Sequence, residues 1–397
     1  MGGCSVSPTG TGLIFDVRVG RAAGWLSRRL LGGGGSRLPN GWAPGSCPGT
    51  RRGWGFHLVI GSTIETCTQT TPRVSIGLPV FNGEKFLEQS ITSILAQTFA
   101  DFEFIISDNG SVDRTETICR SYAARDPRIR YLRQERNRGA AWNHNFVFEC
   151  SRGEYFKWQC HDDLCEPTFV EKCVAVLDRE PAIVLCYSQF ARIDENSELV
   201  PATSAGWAPI ASSSVSGIES PHERFQALIH RRDACEEIYG LMRARAARET
   251  RLVGAYAQSD DNFLAELALR GGFYEIPEPL FRYRLHPENS TKTHSTRLER
   301  LLWFDPNGRR RFYIPFLRQF REYLLLIRRA PVSRRERIHC YLHTLGWAWR
   351  FRAWLAEDLH EGIFLGLLVP FLKKHAIWTR AAWRTLKRLM HSRRVVS

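Results

Sequence analysis

The segment KWQCHDDLCEP, residues 157 to 167, gathers one His, two Asp, one Glu and two Cys into eleven positions. Each of these side chain types can ligate a metal ion. A thiolate zinc site needs closely spaced cysteine pairs, and Cys160 and Cys165 are spaced C-x₄-C with no second pair at a finger-like distance. Alternation along a strand turns Cys160 into the sheet and His161 outward. Cys150 and Cys173 read as small buried apolar residues. That leaves the adjacent carboxylates Asp162 and Asp163, just past the end of an apolar run. A hard cation such as Mg²⁺ takes one or two protein carboxylates plus substrate phosphates and keeps several waters. One aspartate would reach the metal while the other accepts a bond from a sugar hydroxyl. In isolation, the same doublet would serve equally well as a cap for the helix beginning near Pro167.

Such a doublet functions only if the chain around it sets the position. Residues 1–70 are rich in Gly, Arg, Ser and Pro, lack sustained periodicity and are expected to be disordered. From Thr71 the pattern changes. RVSIGLPVF predicts a buried strand, and FLEQSITSILAQT predicts a helix with Leu87, Ile91, Ile94 and Leu95 on one face. FEFIISDNGS, RIRYLRQ and YFKWQC predict three further strands. Between them lie two helical stretches, SVDRTETICRSYAA, with Asp113 and Glu116 at capping-box spacing, and AAWNHNFVFEC. Strand–helix alternation of this kind predicts a mainly parallel α/β sheet flanked by helices. A helix over Phe169–Leu177 and a strand over Ile183–Tyr187 follow, then a Ser- and Pro-rich loop from Pro201 to Pro221. Ligands of open parallel sheets bind outside the carboxyl ends of the strands. Asn82 and Glu84, Asp108-Asn109-Gly110-Ser111, Asn137, and His161-Asp162-Asp163 all fall at those ends.

Several function classes are excluded. No G-x-G-x-x-G opens the first helix and no P-loop is present, so neither a dinucleotide fold nor a Walker-type phosphate cradle is expected. The net charge of +14 is uneven: residues 301–397 carry 20 Lys and Arg against 6 Asp and Glu, whereas residues 71–300 carry 28 against 33. The central region therefore has no basic field, and no nucleic-acid recognition motif accompanies the charge of the tail. Eleven irregularly spaced cysteines indicate a reducing, cytoplasmic setting rather than a disulfide framework. SRRLL, Ser27–Leu31, has the twin arginines of an export signal but is followed by GGGGS instead of an apolar region. The longest apolar run, Gly362–Leu372, is too short to span a bilayer.

VSIGLPVFNGEKFLEQSITSILAQTFADFEFIISDNGSVDRT resembles the nucleotide-binding start of family-2 glycosyltransferases of the GT-A fold. NRGAAWNHN is similar to their N-x-G-x-x-x-N segment, CHDDLCEP falls where their D-x-D metal motif lies, and SDDNFLAELALRGGFYEIPEPLFRYRLHP resembles their catalytic-base region. The likeness covers roughly residues 73–290. It implies a GT-A, Rossmann-like domain over 71–294 followed by a basic, Trp-rich helical extension over 295–397. It further implies inverting transfer from a UDP-linked sugar to a glycan or lipid-linked acceptor, with Mg²⁺ or Mn²⁺ as cofactor. Pro79, Phe81, Asn82 and Glu84 would line the base and ribose, Asp108 and Asn109 the base edge, and Asn137, Gly139 and Asn143 the neighbouring loop. Asp163 would hold the metal, Asp162 the ribose or donor sugar, and Asp260 or Asp261 would be the base. His286 would touch metal or phosphate, or serve only as a turn residue before Pro287. The sequence departs from the family pattern at Phe81, where Tyr is commoner, at His161 in the first D-x-D position, and at SDDN in place of an E-D pair. A sugar-phosphate nucleotidyltransferase would open with a Gly-rich basic loop that LPVFNGEKF lacks. A non-catalytic nucleotide-sugar-binding relative would not need Asp108, Asp162, Asp163 and Asp260 together.

In HAIWTRAAWRTLKRLMH, Trp378, Ala382, Leu386 and Leu389 share one helical face, while Arg380, Arg384, Lys387 and Arg388 share the other. With Trp347, Trp349 and Trp354 nearby, this predicts either peripheral attachment to an anionic inner-membrane face or a helical bundle packed on the catalytic domain.

Overall fold

The computed structural model describes residues 71–201, 215–231, 235–289, 293, 297–306 and 314–360. The chain divides into units Met1–Ile60 and Gly61–Ser397, and every described residue belongs to the second. The N-terminal segment, most of the 201–221 loop and the helix expected around Trp378 lie outside the described residues.

The strands expected up to Trp158 are present as β1 (Val74–Val80), β2 (Phe102–Asp108), β3 (Ile129–Arg133) and β4 (Tyr155–Trp158). Between them run α1 (Leu87–Leu95), α2 (Thr115–Ala123) and α3 (Ala140–Glu149). All seven residues of β1 and of β2 are buried, as expected of central strands covered on both faces. The chain continues through β5 (Leu164–Cys165), α4 (Phe169–Arg179), β6 (Ile183–Ile193), α5 (Pro221–His230), β7 (Leu241–Arg243), α6 (Ala244–Arg248), α7 (Ser259–Ala268) and β8 (Gly272–Arg284). Four more helices follow: α8 (Arg297–Phe304), α9 (Pro315–Arg329), α10 (Arg334–Arg350) and α11 (Arg352–Leu359).

The eight strands form one sheet in the order β3-β2-β1-β4-β7-β6-β8-β5. The β3-β2-β1-β4 half is parallel, as expected, while β7 is antiparallel to both β4 and β6. Strand β6 extends six residues beyond the expected Tyr187, because β8 pairs with it in parallel along its whole length. Two register shifts near Ser188 and Gln189 accommodate Pro277 and Pro279, which cannot donate to a ladder. The capping-box expectation changes in detail: Asp113 accepts from Thr115 N (3.0 Å) and Glu84 N (3.1 Å), while Glu116 pairs with Arg120 and Arg133.

Register sets the site. Val80 lies opposite Asp108, and Asp108 opposite Arg133, so the turns after β1, β2 and β3 emerge side by side. A second core joins α5 and α7 to the C-terminal helices through Phe225, Ala265, Phe316, Tyr323, Cys340 and Trp347. The described C-terminal helices thus pack on the sheet domain as a bundle. No helix among the described residues is long and apolar enough to cross a membrane.

Candidate active site

At the strand ends, backbone and side chains interlock. Asn82 adopts a left-handed φ of 51°, donates its N–H to Ser111 Oγ (2.9 Å) and accepts Val112 N–H on Oδ1 (3.0 Å). Glu84 accepts Arg114 N–H (2.9 Å). Asp108 is fully buried: Oδ1 accepts Ser111 N–H (2.8 Å), and Oδ2 accepts the Tyr131 hydroxyl (2.8 Å) and faces Arg133 Nε (3.4 Å). Asn109 donates to Asn137 Oδ1 (3.0 Å) and Gly139 O (3.2 Å) and accepts Arg138 N–H (3.0 Å), tying the second turn to the third. Asn143 bridges β1 and β2 through Val80 O, Ser107 O and Ser107 Oγ. Gly139 has φ 95°, and a Cβ there would lie 2.4 Å from Phe304 O, so only glycine fits. Phe81 is different: at 41% exposure, just past buried Pro79, it presents a bare ring at the mouth of this crevice.

The carboxylate doublet lies on the next strand end. The Asp162 and Asp163 oxygens and Cys160 Sγ all lie within 4.8 Å of one another. Burial opposes ionisation of Asp162, but His161 and a 3.0 Å hydrogen bond from His286 Nε2 outweigh it and hold its carboxyl below the usual range. Asp163 is buried behind it. Burial and the Asp162 charge push its carboxyl well above the usual range, although Oδ1 accepts Arg284 N–H (2.9 Å). Two adjacent carboxylates that resist joint ionisation form a donor set suited to a hard divalent cation, whose charge removes the conflict. The Cys160 thiol, expected to turn into the sheet, also lies beside this doublet. Burial and the two aspartates hold its thiol proton, so it is a neutral, soft third neighbour. His286 is buried against the Phe86 ring (4.8 Å), with Nδ1 unpartnered among the described residues.

Asp260 and Asp261 begin α7, after Gln258 in a strained left-handed conformation (φ 64°). Asp260 Oδ1 accepts the Asp261 N–H of its own first turn (3.1 Å). Asp260 Oδ2 accepts the Cys235 thiol (2.9 Å), and Asp261 pairs with the Arg231 guanidinium (3.4 Å), which also grips Glu237 (2.7 Å). Burial and the Asp260 charge push the Asp261 carboxyl up to about 7. Both aspartates line a cavity of about 900 Å³ that is also lined by the aromatic rings of Trp303, Phe316, Trp347 and Trp354. Tyr239 and Tyr283 also line it. Burial chiefly raises both phenols; Cys160 and Asp163 add to the shift of Tyr239, and Asp163 and Asp162 to that of Tyr283. These tyrosines thus neighbour both the cavity and the carboxylate doublet.

Sequence reasoning missed Arg284, Arg231 and Cys235. Arg284 is fully buried, and its guanidinium donates to Asp162 O, Asp194 O, Ser197 Oγ and Gln89 Oε1. A signal for it was present: it is the last residue of the apolar, aromatic run that ends just before His286. Arg231 and Cys235 carried none, because their partners are brought together only by tertiary packing.

Residues 75–238 match the sequence model of Glycosyl transferase family 2. That region belongs to this family. An uncharacterised glycosyltransferase of Rickettsia typhi is 38% identical over 128 residues, covering 32% of this chain and 39% of that protein. Chondroitin synthase of Escherichia coli is 33% identical over 138 residues, covering 34% of this chain and 20% of that protein. The matched stretch thus spans about two fifths or less of these relatives' length. Among solved structures, S. aureus TarS 1-349 in complex with UDP-GlcNAc shares the fold at TM-score 0.50 and 13% identity, covering 74% of this chain and 81% of that one.

Proposed function

We infer that the protein transfers a sugar from a nucleoside-diphosphate donor to an acceptor hydroxyl, with inversion at the anomeric carbon. One observation carries this reading: Tyr239 and Tyr283 line the cavity that holds Asp260 and Asp261 and also feel the charge of the Asp162–Asp163 doublet, so the two doublets neighbour one continuous space. Such a reaction needs charge neutralised on a leaving diphosphate and a proton removed from an incoming hydroxyl. Asp163, with Asp162 and His286 beside it, would hold Mg²⁺ or Mn²⁺, which when bound neutralises the diphosphate.

The chain's own groups do the rest. Phe81 offers a face for a nucleobase such as uracil, and Asp108, Asn109, Asn137, Gly139 and Asn143 fix the shape of the crevice around it. Asp260 takes the proton of the acceptor hydroxyl, whose oxygen bonds to the anomeric carbon as the bond to the diphosphate oxygen breaks. A single displacement of this kind inverts the centre. The Cys235 thiol orients Asp260, and Arg231 holds Asp261 alongside. Gln258 Oε1 and Ser259 Oγ are buried without partners among the described residues and would receive acceptor hydroxyls. The aromatic wall suits stacking on the sugar rings of a glycan or lipid-linked acceptor, and the likeness to chondroitin synthase supports a glycan.

The test is turnover of nucleotide sugars with Mg²⁺ or Mn²⁺, followed by release of nucleoside diphosphate. Asp260→Asn should lower kcat by about 10²–10⁴ while calorimetric affinity for the nucleotide stays unchanged. Loss of both would assign Asp260 to structure, and full activity in chelator would remove the metal from the scheme.

A further inference from the structure

Helix α10 packs inward through Cys340, Thr344 and Trp347, all buried. Its opposite face is apolar rather than charged. Ile338, Leu342, Leu345 and Trp349 are 58%, 57%, 58% and 72% exposed, and their four-three-four spacing sets them in one stripe along the helix. The three C-terminal tryptophans singled out in the sequence therefore separate: Trp347 belongs to the core, whereas Trp349 and Trp354 face solvent. Positive charge frames the stripe. Arg334 and Arg335 are exposed at its start, and Arg350 and Arg352 at its end, with Arg352 lying over the Trp349 ring at 4.9 Å. The single acid of α10, Glu336, points the other way, accepting from His222 N (2.9 Å).

We propose that this face of α10 docks the protein on an anionic lipid surface, the apolar stripe entering the headgroup boundary and the arginines meeting the anionic headgroups. A lipid surface is apolar below and negative above, which complements an apolar stripe framed by cations and free of acids. Tryptophan is at home at that boundary. Two other occupants fit less well. A second copy of the same face would set arginines against arginines. Residues 361–397 carry eight Lys and Arg against one acid and would meet the same repulsion. The surface is also continuous with the candidate active site, since Arg350 and Trp354 line the cavity that holds Asp260. Docking here would set that cavity at the lipid boundary, though the docking itself does not depend on the proposed activity.

Sedimentation of the full chain with vesicles tests this without reference to turnover. The protein should bind vesicles of phosphatidylcholine with phosphatidylglycerol, bind pure phosphatidylcholine poorly, and detach as salt is raised. Leu342→Ser together with Trp349→Ser should weaken partitioning by about tenfold, with an unchanged melting temperature because both side chains are exposed. Arg334→Glu together with Arg335→Glu should weaken it several-fold on anionic vesicles only. Three results would each overturn the proposal. The first is no binding of the unaltered chain to anionic vesicles. The second is equal binding by the Ser variant, which would pass the role to residues 361–397. The third is a solution dimer that the Ser variant dissolves.

Discussion

The crevice at the strand ends and the cavity behind Asp260 are built on opposite plans. In the crevice, most polar groups have partners within the chain, namely both oxygens of Asp108, the amide groups of Asn109 and Asn143, and the guanidinium of Arg284, with His286 Nδ1 the exception. Around the cavity, Gln258 Oε1, Ser259 Oγ, Asn262 Oδ1 and Arg231 Nε are buried with no partner among the described residues. Buried polar atoms without partners are costly. The first region is organised by its own backbone before any ligand arrives; the second is completed by what enters it.

Substitutions on the two sides should therefore differ in kind. The largest effect on stability is expected at Arg284. Arg284→Lys keeps the charge but cannot reach acceptors on three separate segments, and denaturant unfolding should show a loss of about 3 kcal/mol. A loss below the error of the fit would mean that the crevice is less interlocked than its hydrogen bonds indicate. On the cavity side the leading effect is on rate. With Asp261 pushed up to about 7, the Asp260–Asp261 pair keeps one proton below that pH and loses it above. Turnover should rise about tenfold per pH unit below the midpoint and level off above it, and Asp261→Asn should move the rise to lower pH. The linkage has the matching sign: a carboxyl raised on folding contributes stability at low pH that is lost as pH rises through about 7. A profile that ignores Asp261→Asn would separate the pair from the chemistry. The smallest effect is the most discriminating. Ser259→Ala removes an unpaired hydroxyl, so melting should change by less than about 0.5 kcal/mol while KM for the acceptor increases. A large loss of stability there would erase the distinction between the two regions.

How much was legible follows the same division. The parallel half of the sheet could be read because β1 and β2 are continuous apolar runs ended by polar turns, and a strand end fixes where its next residues emerge. Asp162, Asp163 and His286 could be read for the same reason. The antiparallel insertion of β7 could not, since three residues, Leu241–Arg243, carry no periodicity. Nor could the pairing of Cys235 with Asp260 or of Arg231 with Asp261, because each joins segments about 25 to 30 residues apart through packing alone. Alternation turned Cys160 inward but gave no sign that its sulfur lies beside the Asp162 and Asp163 oxygens, because the turn after β4, which ends at Trp158, sets that closeness.

Arg284 also bears on how such a protein can change over generations. Two of its contacts run to side chains, Ser197 Oγ and Gln89 Oε1, so a substitution at either takes an acceptor from the buried guanidinium, whereas the carbonyls of Asp162 and Asp194 stay whatever side chain they carry. Mutational drift there is held to coordinated moves, and Gln89 and Ser197 should covary with Arg284 in an alignment of relatives. The cavity wall is tied in part: Phe316, Tyr323 and Trp347 belong to the second core, whereas Trp354 is half-exposed. A lineage could replace Trp354 without opening that core, and so reshape the cavity while the crevice at the strand ends is inherited intact.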